Sequence, residues 1–286
     1  ICACLVGSEM CIRDSCISKR EARMTAESVD NYICIKMNVT MEGHKLATLS
    51  IDNDSSVTYW TDGRKIYFRH REINGADIDS FEWFDGGWAK DDRRCYINGI
   101  RLQNAIPATF SVLNRAYAKD KSNVWTLGGQ ISNADSNSFE ICDSGTYNSG
   151  YSALPYGFAK DKNNVYYTEF SRKGTVVKKA NPATFLSLDD GFFGFDDAGV
   201  FCKSGILPKA NPLKWRKIQT SGLYSICENR IYYQNKLLKS ADAETFEVIA
   251  EIQSYNFAKD KNSGFSCEKV ISFQELDAII KDYKEQ

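Results

Sequence analysis

A phrase recurs along this chain from Tyr59 to Phe265 with a period of about thirty residues, and a period of that length demands an architecture of stacked small units. The fullest copy is Phe158-Ala-Lys-Asp-Lys-Asn-Asn-Val-Tyr-Tyr167. Aligned on Val165, the copies place an aromatic seven residues earlier, at Tyr59, Trp88, Tyr117, Phe158, Phe193, Tyr224 and Phe257. An aspartate stands four residues before the aligned position at Asp62, Asp91, Asp120, Asp161, Asp196 and Asp260, and the sixth copy has Cys227 there instead. A second landmark closes each period. Ala76, Ala105, Ala134, Ala180, Ala210 and Ala241 each open a short phrase that ends on Phe81, Phe110, Phe139, Phe185, Trp215 or Phe246, the fourth after a five-residue extension.

Within one period the residue types read as short strands. Phe110-Ser-Val-Leu113, Tyr117-Ala-Lys-Asp120 and Asn123-Val-Trp-Thr126 are bounded by polar turn residues. Asp-Lys-Ser-Asn and Asp-Lys-Asn-Asn suit a tight turn in which the Asp carboxylate clamps its own backbone two residues on. Asn98-Gly99 and Gly128-Gly129 supply residues that accept the positive φ of a two-residue hairpin. The Ala-Asn-Pro-Ala-Thr-Phe phrase predicts a single helical or 3₁₀ turn, capped by Asp or Asn, with Pro at its first position. Each unit is therefore a small β-meander plus one turn of helix, which has no partner for its apolar face until a neighbour stacks on it. The repeated aromatics are expected to pack between units.

These phrases resemble the DKNYY repeat family of bacterial proteins, named for an Asp-Lys-Asn-Tyr-Tyr core. Asp161-Lys162-Asn163-Asn164-Val165-Tyr166-Tyr167 matches best, with Asp120 to Trp125, Asp260 to Asn262 and Asn229 to Tyr233 as partial copies. The resemblance spans roughly residues 53 to 273 and implies an all-β tandem-repeat architecture; it brings no established activity and no catalytic residues. The expectation is about seven units, with a propeller-like ring slightly favoured over an open β-solenoid because four short strands can be drawn per unit.

The ends depart from the pattern. Residues 1–15 read as the translation of a sequencing adapter, so residues 1–19 form an artefactual leader and the native N-terminus, with any signal peptide, is expected to be missing. The compartment stays open between export to a bacterial cell surface and the cytosol. Residues 20–58 hold alternating stretches, Tyr32 to Val39 and Leu46 to Ile51, expected as strands of a degenerate leading unit or cap ahead of the repeat domain at 59–265. In 266–286, Phe273, Leu276, Ile279, Ile280 and Tyr283 fall at helical spacing behind Ser272, with Glu275 three residues on, which predicts a capped terminal helix closing the last unit.

Little in the sequence points to chemistry. The net charge is −1 with a pI near 6.2, so no general attraction to nucleic acid or anionic membrane is expected, and no apolar run is long enough to span a membrane. The two histidines, His44 and His70, lie outside metal or nucleophile motifs and are expected at the surface. Cys34, Cys95, Cys142, Cys202, Cys227 and Cys267 are scattered without a Cys-x-x-Cys pair, and free thiols are favoured over disulfides. Adjacent carboxylates at Asp91-Asp92, Asp189-Asp190 and Asp196-Asp197 are formally available for glycoside hydrolysis, but a solvated turn is the simpler role. No catalytic residue, cofactor or metal site is assigned.

The stretch from Cys142 to Tyr156 interrupts the period between the third and fourth units, and loops that break a regular array are where binding often resides. Tyr147, Tyr151 and Tyr156 on it are the candidate contact residues, expected exposed. The leading reading is a monomeric, non-catalytic binding or interaction module for a protein or glycan. Its alternatives are a carbohydrate-active enzyme with carboxylates at one end of a β ring, and a structural surface spacer.

Overall fold

A computed structural model describes residues 40–48, 59–149, 152–170, 172–218, 222–252 and 255–285. All of them belong to one compact body, Ile35–Gln286. The cysteines of the leader and the stretch Tyr32 to Val39 lie outside the described residues.

The described chain is all-β apart from one 3₁₀ turn and one terminal helix. Seven four-stranded sheets follow one another with strands ordered as they occur in the chain; the last six are antiparallel meanders, and in the first the leading strand Ala47–Thr48 pairs in parallel. They cover residues 47–72, 82–101, 111–130, 140–176, 186–206, 215–237 and 247–271, and are numbered here as units 1 to 7. Strands are mostly two to five residues long because turn residues recur so closely. In unit 4, Phe158, Ala159 and Lys160 pair with Tyr167, Tyr166 and Val165. The equivalent register joins Tyr117–Lys119 to Val124–Thr126 in unit 3.

Packing between units runs through the phenylalanine that ends each phrase. Phe81 lies between Tyr59 and Tyr96, with centroids 5.5 and 5.6 Å away, and Phe139 lies between Tyr117 and Tyr166 at 5.7 Å from each. Phe110, Phe185 and Phe246 repeat the arrangement. Each ring is thus sandwiched between aromatics of consecutive sheets, in tilted geometries worth about 0.5–1.5 kcal/mol per pair beyond area burial. Polar handles reach the same way: Tyr59 Oη donates to Gly87 O at 2.8 Å, Tyr117 Oη to Gly157 O at 2.9 Å and Tyr167 Oη to Gly191 O at 2.9 Å.

The repeated aspartate does more than close its own turn. Asp161 Oδ1 accepts from Asn163 N and Asn164 N, both at 2.7 Å, while Oδ2 accepts from Tyr166 Oη at 2.7 Å and from Asp135 N at 2.8 Å. The last of these donors belongs to the phrase that opens the unit. Asp91, Asp120, Asp196 and Asp260 make the same reach, to Asp77 N, Ile106 N, Asn181 N and Asp242 N. In unit 6 the thiol of Cys227 takes the position and accepts from Asn211 N at 3.3 Å. The lysine that follows the aspartate has a partner as well, with Lys162 on Asp135 and Lys261 on Asp242, each at 2.8 Å.

A turn hidden in the sequence connects strand four to the next phrase. The buried aliphatics Ile73, Leu102, Ile131, Val177, Leu207 and Leu238 donate their N–H back to strand three, as Leu102 does to Cys95 O at 2.8 Å. The chain then passes through positive φ at Gly75 (72°), Asn104 (61°), Asn133 (64°), Lys179 (72°) and Lys209 (62°). Positive φ at the third position is what a type II turn requires, and Gly and Asn supply it most easily. The following phrase turns as expected: Pro107–Thr109 is 3₁₀, and Asn181 and Asn211 cap theirs by accepting from Ala183 N and Leu213 N.

Of the leading segment, residues 41–48 run as a strap along strands of the first three units. Met41 N donates to Val112 O, His44 and Trp83 exchange both backbone hydrogen bonds, and Ala47–Thr48 pairs in parallel with Trp60 and Thr61. At the other end Ser272 Oγ accepts from Glu275 N at 3.1 Å and caps the helix Phe273–Glu285. That helix packs Leu276, Ile279 and Ile280 on Phe257 and Ile271.

Two substitutions test the energetics of this framework. Asp161→Asn leaves one carbonyl oxygen where four donors converge and turns an amide NH₂ towards two of them, so a loss of about 2–3 kcal/mol in chemical denaturation is expected. Ser225 stands where four other units have Ala89, Ala118, Ala159 and Ala258, and its buried hydroxyl has no partner among the described residues. Ser225→Ala is therefore expected to raise stability by about 1 kcal/mol, and a decrease would show that the hydroxyl is satisfied in solution.

Candidate functional site

A second side-chain clamp recurs three residues before the strand-two aromatic. Asn114 Oδ1 accepts from Ala116 N and Tyr117 N, each at 2.9 Å, and Asp190 Oδ1 accepts from Phe192 N and Phe193 N, each at 2.8 Å. In unit 4 the matching residue is Asp143, whose aromatic, Phe158, stands fifteen residues on. The period is broken between a clamp and its target. Asp143 nevertheless closes the gap, since Oδ1 accepts from Gly145 N at 3.0 Å and Oδ2 from Phe158 N at 2.7 Å. One carboxylate thereby ties both ends of the inserted segment together.

The same carboxylate fastens the insertion to unit 5. Ser187 Oγ donates to Asp143 Oδ2 at 2.9 Å, and Asp189 Oδ1 accepts from Ser144 N at 2.8 Å and Ser144 Oγ at 2.6 Å. Asp143 is 6% exposed. Burial pushes its carboxyl up to about 7, helped by the nearby Asp189 charge and opposed by the hydrogen bonds from Phe158 N, Ser187 Oγ and Gly145 N.

Between these anchors the insertion forms a two-stranded hairpin, Tyr147–Asn148 with Ala153–Leu154. Tyr147 and Tyr156 are not exposed as expected but half-buried. Their centroids are 5.5 Å apart, and Phe192 of unit 5 lies 4.7 Å from Tyr147 and 5.6 Å from Tyr156. Gly191 makes that seat possible: a Cβ there would meet Tyr147 Cβ at 2.9 Å and Tyr156 Cβ at 3.3 Å. Burial raises the pKa of both phenols. The hairpin was expected to offer its tyrosines outward, but two of them are its feet. At the other end Ser149 N donates to Ser152 O at 3.0 Å, and Asn148, Ser152 and Ala153 are exposed. Tyr151 lies outside the described residues.

Lys203 and Glu169 flank the seat. Lys203 Nζ lies 5.7 Å from the Phe192 centroid and 2.6 Å from Glu169, which also holds Arg172 at 3.0 Å. Elsewhere, an open groove is lined by Phe68, Arg69, His70, Arg71, Asn98 and Ile100, where Arg71 Nη2 donates to Asn98 O at 2.8 Å. His70 is exposed there, and exposed His44 stacks on Trp83 at 4.6 Å.

The adjacent carboxylates are occupied structurally. Asp91 and Asp196 are turn clamps, Asp92 pairs with Arg93, and Asp197 accepts from Thr184 Oγ1 at 2.7 Å. Asp190 holds Lys217 at 2.8 Å in a largely buried pair. Cys95, Cys202, Cys227 and Cys267 are free thiols, and burial pushes Cys95 up to about 12 and Cys202 higher still. Among the described residues, no group of three or more His, Cys, Asp or Glu is placed to hold a metal ion, and no helix is long and apolar enough to cross a membrane.

The family model that matches this chain is the DKNYY family, over residues 88–269. No curated protein and no solved structure matches it.

The Asp143 clamp predicts a pH dependence. Its folded pKa of about 7 exceeds the ordinary 3.8, so its contribution to stability is complete below pH 3.8 and is lost as pH rises through about 7. The full span corresponds to about 4 kcal/mol at most. The carboxylates with lowered pKa, such as Asp135 and Asp242, act at lower pH and leave this window clear. Urea titrations at pH 5 and 7.5 should show the native protein less stable at the higher pH, with the difference largely removed in Asp143→Asn. An unchanged difference in that variant would show that Asp143 does not titrate there.

Proposed function

The chain belongs to the DKNYY family, and from that premise we propose that it is a non-catalytic binding module that presents the hairpin inserted in unit 4 to a protein or glycan partner. The observation that carries this reading is the mount. The insertion that interrupts the array is closed at its base by Asp143 and seated through Tyr147 and Tyr156 on Phe192.

Such a mount lowers the entropy that a loop loses on binding, because the hairpin is already ordered against its neighbour. Tyr147 and Tyr156 then act as positioning residues, and the exposed tip around Asn148, Ser152 and Ala153 is the surface offered to the partner. The neighbouring carboxylates support a binding role over hydrolysis, since Asp189, Asp190, Asp196 and Asp197 are engaged by backbone, hydroxyl or lysine groups.

Replacing residues 146–156 by a short Gly-Ser linker keeps the Asp143, Gly145 and Phe158 base. The expected outcome is a melting temperature within a few degrees of the native protein and loss of the signals that the native protein gives on a glycan array and in crosslinking to purified surface proteins. Retention of every such signal at native affinity would contradict the role given to the hairpin.

A further inference from the structure

The type II turn that joins strand four to the next phrase is uncharged in units 1 to 3, where it carries Asn74-Gly75, Gln103-Asn104 and Ser132-Asn133. In the next three units the turn at the same place is basic, with positive φ in units 4 and 5 and not in unit 6. Unit 4 has Lys178 and Lys179, unit 5 has Lys209 and unit 6 has Lys239, all exposed. None of these four ammonium groups has an ion-pair or hydrogen-bond partner among the described residues.

Two further features single the row out. Lys179 and Lys209 adopt φ of 72° and 62°, a region that lysine disfavours and that Gly75, Asn104 and Asn133 occupy in the other units. A local rule broken at the same site in consecutive units, with no contact made in return, points to function. The second feature holds for two of the three turns: the residue after the repeat alanine is acidic as Asp77, Asp135 and Asp242 and neutral as Ile106, Asn181 and Asn211, so the turns of Lys178, Lys179 and Lys209 have no carboxylate at that position. The carboxylates of the adjoining turns are also engaged. Asp197 accepts from Asn181 and Thr184, Glu228 bridges Lys214 and Arg230, and Asp242 pairs with Lys261.

We infer that the turn lysines of units 4 to 6 form an interaction surface for a linear anionic polysaccharide whose carboxylate or sulfate groups recur along its chain. Cations on the same connecting turn of successive units, Lys179 and Lys209 at its third position and Lys178 and Lys239 at its second, advance from unit to unit, which matches a polymer with repeating charge. Their side chains are long, flexible point charges suited to following such a chain. A single-stranded nucleic acid is the poorer fit, because affinity for it rests on stacking bases over aromatics. The exposed aromatics of the described residues are Phe170, Tyr255 and Phe273, none of which lies on these turns. This surface is separate from the inserted hairpin and does not depend on it.

The test uses the full chain and the variant Lys178→Gln/Lys179→Asn/Lys209→Asn/Lys239→Gln, with polygalacturonate, dextran sulfate, neutral dextran and single-stranded DNA as probes in calorimetric titrations. The native protein is expected to bind polygalacturonate or dextran sulfate at low salt, to release it as salt is raised, and to ignore neutral dextran. The variant should bind roughly tenfold more weakly or worse, yet melt at the same or a higher temperature, because Asn suits the positive φ that Lys179 and Lys209 hold. The hairpin-replaced protein should bind as the native one does, so failure of the hairpin reading leaves this surface intact. Absence of binding to both anionic polysaccharides, or equal binding by the lysine variant, would overturn the inference. DNA binding as tight as polysaccharide binding, lost in the same variant, would overturn the choice of partner.

Discussion

The structure depends on one repeated carboxylate that accepts hydrogen bonds on both of its oxygens. In each of units 2, 3, 4, 5 and 7 an aspartate with one oxygen on its own turn puts the other on a backbone N–H from the phrase that opens the unit. Strands this short make few ladder bonds, and the phrase between sheets has backbone groups that no ladder satisfies. The buried carboxylate meets both needs, and charge-assisted bonds to it are the stronger kind. With the phrase fixed, its terminal phenylalanine is delivered between two sheets, where the aromatic sandwiches form the core between consecutive units.

The parts legible in the sequence were those set by local spacing. The aspartate clamp follows from the hydrogen-bonding reach of Asp to residues two and three on, and the Ser272 cap from its distance to Glu275. What the spacing hid was each partner supplied from elsewhere. Nothing near Asp161 reveals that its second oxygen takes Asp135 N, and nothing in Met41 to Thr48 reveals a strap over Val112, Trp83 and Trp60, because those pairings depend on how units stack. The type II turn left a signal in Gly75, Asn104 and Asn133, which Lys179 and Lys209 then obscured.

The candidate site was located by its break in the period, and its tyrosines were misjudged. Aromatic residues in an insertion look like contact residues when only the sequence is in view, but Tyr147 and Tyr156 are drawn down onto Phe192 by the same apolar burial that drives the repeats. The clamp frame explains why the insertion is tolerated where it is. It lies between Asp143 and Phe158, which a single carboxylate can still join, so the added residues leave unit 4 with its four-stranded meander.

Native-state hydrogen exchange on the unmodified protein tests the clamp most directly, because unit 6 is an internal control in which Cys227 replaces the aspartate. If the carboxylate holds each phrase, the amides of Asp77, Ile106, Asp135, Asn181 and Asp242 exchange as slowly as neighbouring strand amides, while that of Asn211, bonded only to a thiol, exchanges measurably faster. Equal protection at all six positions, or fast exchange at the five carboxylate-bonded ones, would contradict the central role given to the aspartate.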